Sequence, residues 1–468
     1  MIKEPSFSSN IDSNWIHNDK LFCWHPFTQV KNSLDNLLII KSKGAYIYDR
    51  HNKKYLDAIS SWWVNTHGHN HPHITKAISK QTKSVSHVMF SGLTHIPAIK
   101  LAKNLVEKLN CNLQHVFYTD NGSTAIEAAL KMCIQYHLNK FNAKKNIFLA
   151  FKGAYHGDTF GAMSVGKSSG FYPPFSDFLF KVKFIEYSQT YLDVENKKLD
   201  ILEKKILGKL ETYLLNNHQN IAAFIFEPLI QGASGMRITR IEFLQKIIKI
   251  CKKYSVLCIA DEVMTGFGRT GKLFAIDYLE QKPDIICLSK GLTGGTLALG
   301  AAIASSEIYN SFLSDNVMEA FLHGHSYTAN PIACSAAVAN LELYDNKLFE
   351  HINNISNIHQ ENLNWLQTKL NNKQSSFKIK NLRYIGSIAA FEIYHSQDNK
   401  SKLKYGSTLG NQIRINMLKE GILIRPLGNI VYILPPYCIT LKQIINIYKK
   451  LFKVISNLSN INHNIDLF

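Results

Sequence analysis

The sequence predicts an α/β protein built on a mostly parallel sheet, and three observations carry that prediction. Short apolar runs, "HVFYTD" (115–120), "NIFLAF" (146–151), "AAFIFEP" (222–228), "VLCIADE" (256–262) and "DIICLSK" (284–290), have no polar face. Strands apolar on both sides need cover on both sides, which parallel sheets receive from crossover helices. The stretches between the runs are long enough, and periodic enough, to be those helices. Finally, 468 residues exceed what one hydrophobic core usually serves, so two domains are expected.

In chain order, residues 1–65 are too few for a core of their own and are expected to pack against the smaller domain. The start, "MIKEPSFSSNIDSNW", carries acids and no apolar core of a secretory signal, and no apolar run approaches the ~20 residues of a membrane span. A cytoplasmic protein is therefore expected. Eight scattered cysteines without a CxxC pair read as buried reduced thiols. The formal charge of +18 raises nucleic-acid binding as a rival role. The lysines are spread through Lys/Asn/Ile-rich segments without a dense basic stripe, so compositional drift explains the charge.

"SSWWVNTHGHNHPHI" (60–74) places His67, His69, His71 and His73 on alternate positions. A strand would put all four imidazoles on one face, as a metal site could use. Gly68 and Pro72 break such a strand, and structural zinc sites draw ligands from separated turns. On these residues alone a metal is the minor reading.

The large domain is expected over 66–335. In it, "HVFYTDNGSTAIEAALKMCIQYH" reads as strand, tight turn and helix, with Ile126, Ala129, Leu130 and Cys133 on one helical face. Thr124 and Glu127 have capping-box spacing, which puts Gly122 and Ser123 at a helix N-terminus able to cradle a phosphate. A plain capped helix explains the same pattern. "GKSSG" (166–170) matches a nucleophile elbow, but "FYPPF" follows where a helix should begin, so it reads as a loop. "GFGRTGK" (266–272) matches two nucleotide-binding patterns and fails both. Leu273 stands where a P-loop needs a hydroxyl, and "DEVMT" separates strand from loop.

Asp261 and Glu262 end one run and point to opposite faces, so one of them faces the crevice at the strand's C-terminal end, where α/β sheets bind ligands. Lys290 ends the next. A lysine opposite a buried carboxylate and near a phosphate cup is what pyridoxal 5'-phosphate requires: a Schiff-base amine, an acid for the ring nitrogen and an anion cradle. From residue 336 a long helical stretch, "GSIAAFEIY" and "NIVYILPPY" suggest a smaller α+β domain over 336–468.

At these residues the chain resembles, over nearly its whole length, the fold-type I, class III pyridoxal-phosphate aminotransferases. "ADEVMTGFGRTGKLFA" and "LSKGLTGG" carry the class; "WHPFTQ", "SSWWVNTHGHNHPHI", "SHVMFSGLTH", "YHGDTFGAMSV" and "HGHSYTANPIAC" carry a narrower likeness within it. The resemblance implies a homodimer that transfers an amino group from S-adenosylmethionine to 8-amino-7-oxononanoate in biotin biosynthesis. An ω-amino-acid aminotransferase or an aminomutase on the same cofactor is the alternative. It further implies Lys290 as the Schiff-base lysine, Asp261 as partner of the ring nitrogen, Gly122 and Ser123 as phosphate ligands, and Tyr155 against the cofactor ring and substrate. Trp62 and Phe27 are implied in the substrate pocket and Arg425 as the carboxylate-binding arginine, while the histidine run leads away from the pocket and no metal is implied. Gly324, His325 and Ser326 match a loop that reaches across the dimer interface to the neighbouring phosphate and substrate. Two departures stand out: Phe27 lies where some relatives have tyrosine, and Ser326 where some have threonine.

Overall fold

The computed structural model describes residues 12–33, 35–166, 172–373, 375–396 and 408–458. The first eleven residues and the "GKSSG" motif beyond Gly166 lie outside them. The central sheet has seven strands in the order 113–119, 300–305, 285–288, 257–261, 221–226, 147–151, 182–185. All pairings are parallel except those of 300–305, which runs antiparallel to both neighbours. The apolar runs of the sequence thus form one mostly parallel sheet.

Why both faces are apolar is visible in where alternate residues go. Phe224, Phe226, Cys258, Ala260, Ile286 and Leu288 enter one core, together with helices Asn196–Asn217 and Ile241–Lys253. Ala223, Ile225, Ile259, Ile285 and Cys287 enter the other, against Ile126, Ala129, Leu130 and Cys133 of helix Gly122–Phe141. The period-2 alternation of a strand therefore fills two cores at once.

A third core is built by the sheet 377–385, 388–395, 430–433 and the helices Asn346–Asn372, Thr408–Lys419 and Leu441–Ser456. The N-terminal strands 39–43, 46–49 and 54–57 pair with one another, and 422–423 extends their sheet parallel to 54–57, so Leu56 and Ala58 join that core. Residue 336 falls inside helix Pro331–Leu341, whose Ala333, Ala337 and Leu341 pack in the central-sheet core. Five cysteines are buried, whereas Cys23 and Cys438 are exposed, against the expectation of buried thiols throughout. No helix among the described residues is long and apolar enough to cross a membrane.

Candidate active site

The C-terminal ends of three adjacent parallel strands converge on a cavity of about 650 Å³. Register explains the convergence. Asp261 pairs with Cys287 and Ala260 with Phe226, so Asp261 and Glu227 leave neighbouring strands on the same side of the sheet; Lys290, two residues past the end of strand 285–288, is turned in by its left-handed backbone, and all three line the cavity. This is the crevice position expected of ligand sites in such sheets.

Asp261 is 4% exposed. His156 Nδ1 donates to its Oδ2 at 2.6 Å and the Val263 N–H to its Oδ1 at 3.0 Å. Among the described residues His156 Nε2 is buried without a partner. Glu262, pointing the other way, accepts from Ala275 N, Ile276 N and Thr265 Oγ1 at 2.7–2.9 Å and anchors the following loop instead of facing the cavity. Burial pushes its carboxyl up to about 7, with these donors opposing.

Lys290 holds a left-handed backbone (φ 45°), a conformation that costs an L-residue energy and that tertiary packing must enforce. Its Nζ lies 4.7 Å over the Trp63 ring. Desolvation lowers the amine's pKa, opposed by the charges of Asp261 and Glu227.

The segment Ser60–Trp63 is a left-handed turn, φ 52°, 45°, 71° and 74° in succession. Bonds from Ser60 Oγ to Leu434 O and from Ser61 Oγ to Asp57 Oδ2, both 2.8 Å, hold it. The turn brings both tryptophans into the cavity wall. Trp63 lies under Lys290, and Trp62 meets Phe27 edge-on at 5.5 Å and carries the Arg425 guanidinium at 4.4 Å. Of the four histidines that follow, His67 packs edge-on to Tyr344 at 4.7 Å and to His71 at 6.1 Å, whereas His69 bonds Asp57 at 2.9 Å and His73 bonds Glu342 at 2.6 Å.

Gly122 and Ser123 begin helix Gly122–Phe141 at the cavity. The capping box is Asn121 with Thr124, not Thr124 with Glu127: Asn121 Oδ1 accepts from Thr124 N and Thr124 Oγ1 accepts from Asn121 N. Glu127 instead accepts from Thr159 Oγ1, Gly161 N and Ala162 N. The helix therefore starts three residues earlier than a Thr124 cap implies. Since Asn121 occupies the Thr124 and Ala125 N–H groups, those of Gly122 and Ser123 are left for an anion. A Cβ on Gly122 would stand 2.7 Å from Val263 Cγ1, so glycine lets the turn close.

Tyr155 also lines the cavity; its hydroxyl donates to Asp158 Oδ2 at 3.0 Å and its N–H to Glu227 Oε1 at 3.1 Å. Gly324, His325 and Ser326 lie on an exposed loop outside this cavity. Sequence reasoning missed Glu227, Trp63 and His156. Glu227 is 5% exposed, accepts from Gly232 N at 2.9 Å as well, and burial pushes its carboxyl up to about 7. Its signal was available, since it ends a buried run as Asp261 does.

The family model "Aminotransferase class-III" matches residues 28–455. A relative from Synechococcus elongatus, "Adenosylmethionine-8-amino-7-oxononanoate aminotransferase", is 43% identical, covering 91% of this chain and 96% of that protein. One of the same name from Staphylococcus aureus is 40% identical over 92% and 96%. The crystal structure of the Methanocaldococcus jannaschii protein of that name superposes with a TM-score of 0.86 at 34% identity, covering 95% of this chain and all of that one. An amine transaminase from an uncultivated Pseudomonas species, in its PLP-bound form, superposes at 0.83 with 26% identity, covering 92% and 98%.

Proposed function

Because the chain belongs to the class III aminotransferases, we propose that it transfers an amino group from S-adenosylmethionine to 8-amino-7-oxononanoate, a step of biotin biosynthesis, using pyridoxal 5'-phosphate. The observation that carries the reading is the meeting of Lys290, Asp261 and the Gly122–Ser123 helix start in one cavity.

The donor set suits the cofactor. The helix start offers two N–H groups and a positive dipole end to a phosphate. Asp261, buried and fixed by two donors, suits a protonated ring nitrogen. Lys290 supplies an amine that burial keeps easily deprotonated. Bound here, the group supplies an aldehyde for amine exchange and a ring that accepts electrons from the reacting carbon.

The chain's own residues do the rest. Lys290 Nζ takes the proton from the donor's amino-bearing carbon and, in the second half of the cycle, delivers one to C7 of the acceptor. Asp261 holds the proton at the ring nitrogen, and Tyr155 sets the ring plane. Trp62 and Phe27 offer aromatic faces to the donor's sulfonium, and Arg425, stacked on Trp62, takes carboxylates. The assembly is a homodimer in this reading, with Gly324, His325 and Ser326 serving the second copy's site. Exposed Leu322 and Tyr327 on the same loop support it.

Following cofactor absorbance of the pure protein tests the donor. S-adenosylmethionine should discharge the aldehyde form and 8-amino-7-oxononanoate restore it. If ornithine or an ω-amino acid discharges it and S-adenosylmethionine does not, the reading fails.

A further inference from the structure

Beside the Lys290 cavity lies a larger one of about 1140 Å³. The two share a partition: Phe27 lines both, and Arg425, lining the second, lies over Trp62, which lines the first. Helix Thr408–Lys419 forms the facing wall. A Cβ on Gly410 would collide with the Gly428 carbonyl oxygen, so the glycine lets this helix press onto the loop that carries Arg425. Arg414, one turn further on the same helix face, is thereby brought beside Arg425.

Arg414 Nε and Nη2 donate to Asn411 Oδ1 at 3.1 and 3.0 Å, which orients the guanidinium. Among the described residues no carboxylate pairs with Arg414 or Arg425. The two acids that line the cavity are engaged elsewhere. Asp35 pairs with Lys20 at 2.6 Å, and Asp49 accepts from Tyr55 Oη and from the N–H groups of His51 and Lys53. Burial and then the charge of Arg425 both lower the pKa of Arg414, as expected where two cations share a site without an anion. Leu418, Ile415 and Phe27 add apolar wall.

We propose that Arg414 joins Arg425, the carboxylate-binding arginine of the reading above, in a two-guanidinium cradle at the partition between the two cavities, and that Arg414 thereby helps hold the acid end of the acceptor's aliphatic chain. The assignment to the acceptor rests on the function proposed above; Arg414 is then a specificity-determining residue beside Arg425. Two guanidiniums and an aliphatic wall match a medium-chain monocarboxylate better than they match a sulfonium donor.

Calorimetric titration of the holoenzyme with nonanoate, and with nonanamide as the neutral control, tests the cradle. Arg414→Gln should weaken nonanoate roughly tenfold, the order of one charge-assisted contact, and leave nonanamide unchanged. Arg414→Lys should recover most of the loss. The Gln variant should also raise the half-saturation of 8-amino-7-oxononanoate more than that of S-adenosylmethionine. Loss for both probes alike, or for neither, overturns the cradle; an equal rise for donor and acceptor overturns its assignment to the acceptor. If the Gln variant does not fold, wild-type holoenzyme decides: nonanoate must bind more tightly than nonanamide and weaken with salt, and no preference overturns the proposal. Should wild type refuse 8-amino-7-oxononanoate while nonanoate still depends on Arg414, the function reading falls and the cradle stands.

Discussion

Replacing Asp261 by asparagine changes one atom in the buried floor of the site, and its cost can be worked from the contacts. The Asn oxygen keeps the Val263 N–H, now at 3.0 Å, while an amide nitrogen replaces Oδ2, which His156 Nδ1 approaches at 2.6 Å. His156 must then present Nδ1 as an acceptor. Its Nε2 has no partner among the described residues before the change, so the exchange costs folding only about 1–2 kcal/mol. Catalysis loses more. A hydrogen bond to a charged ring nitrogen contributes about 1.5–3 kcal/mol. Opposite charges about 4 Å apart at an effective dielectric near 20 attract by about 4 kcal/mol. The two overlap, so the net loss is about 4 kcal/mol, or about a thousandfold in kcat. Steady-state turnover of the cofactor-loaded variant measures this, with circular dichroism to confirm the fold. A kcat within tenfold of wild type, cofactor bound, would refute the role given to Asp261.

Lys290→Ala should retain no covalently attached cofactor and lose turnover, and borohydride reduction with peptide mapping of the wild type should label only the Lys290 peptide; a label elsewhere removes the assignment. Glu227 titrates near 7 in the fold against an ordinary 4.5, so its stabilising contribution is complete below about pH 4.5 and is lost as pH rises through 7, about 3 kcal/mol in all. In the apoprotein, Glu227→Gln should gain on wild type by about that amount in denaturant titrations between pH 4.5 and 8, and parallel pH curves would show that burial does not hold Glu227 protonated. Chelators should leave activity unchanged, because His67, His69 and His73 have different partners and burial pushes His67 down to about 3, leaving it neutral; one equivalent of metal lost together with activity would contradict this.

What the sequence disclosed about the site follows from which physics is local. Asp261 and Lys290 were legible because each ends an apolar run, and parallel pairing places strand ends side by side. Glu227 ends such a run too, so the same local signal marks it. The left-handed turn at Ser60–Trp63 was not legible. Nothing in "SSWW" favours positive φ, and bonds to Leu434 and Asp57 impose it. The cap of helix Gly122–Phe141 was misread because Asn121 and Thr124 compete with Thr124 and Glu127 for one pattern; three donors from 159–162 decide the fate of Glu127. The closeness of Arg414 to Arg425 depends on Gly410 meeting Gly428, a long-range fit no single segment encodes.

The most direct test of the account follows the nitrogen itself. Wild-type holoenzyme is given S-adenosylmethionine carrying a heavy α-amino nitrogen, together with unlabelled 8-amino-7-oxononanoate, and the product is read by mass spectrometry. The account predicts 7,8-diaminononanoate bearing the heavy nitrogen, and none with Lys290→Ala. Absence of labelled product from the wild type, while an ω-amino acid donates its nitrogen in the same assay, would contradict it.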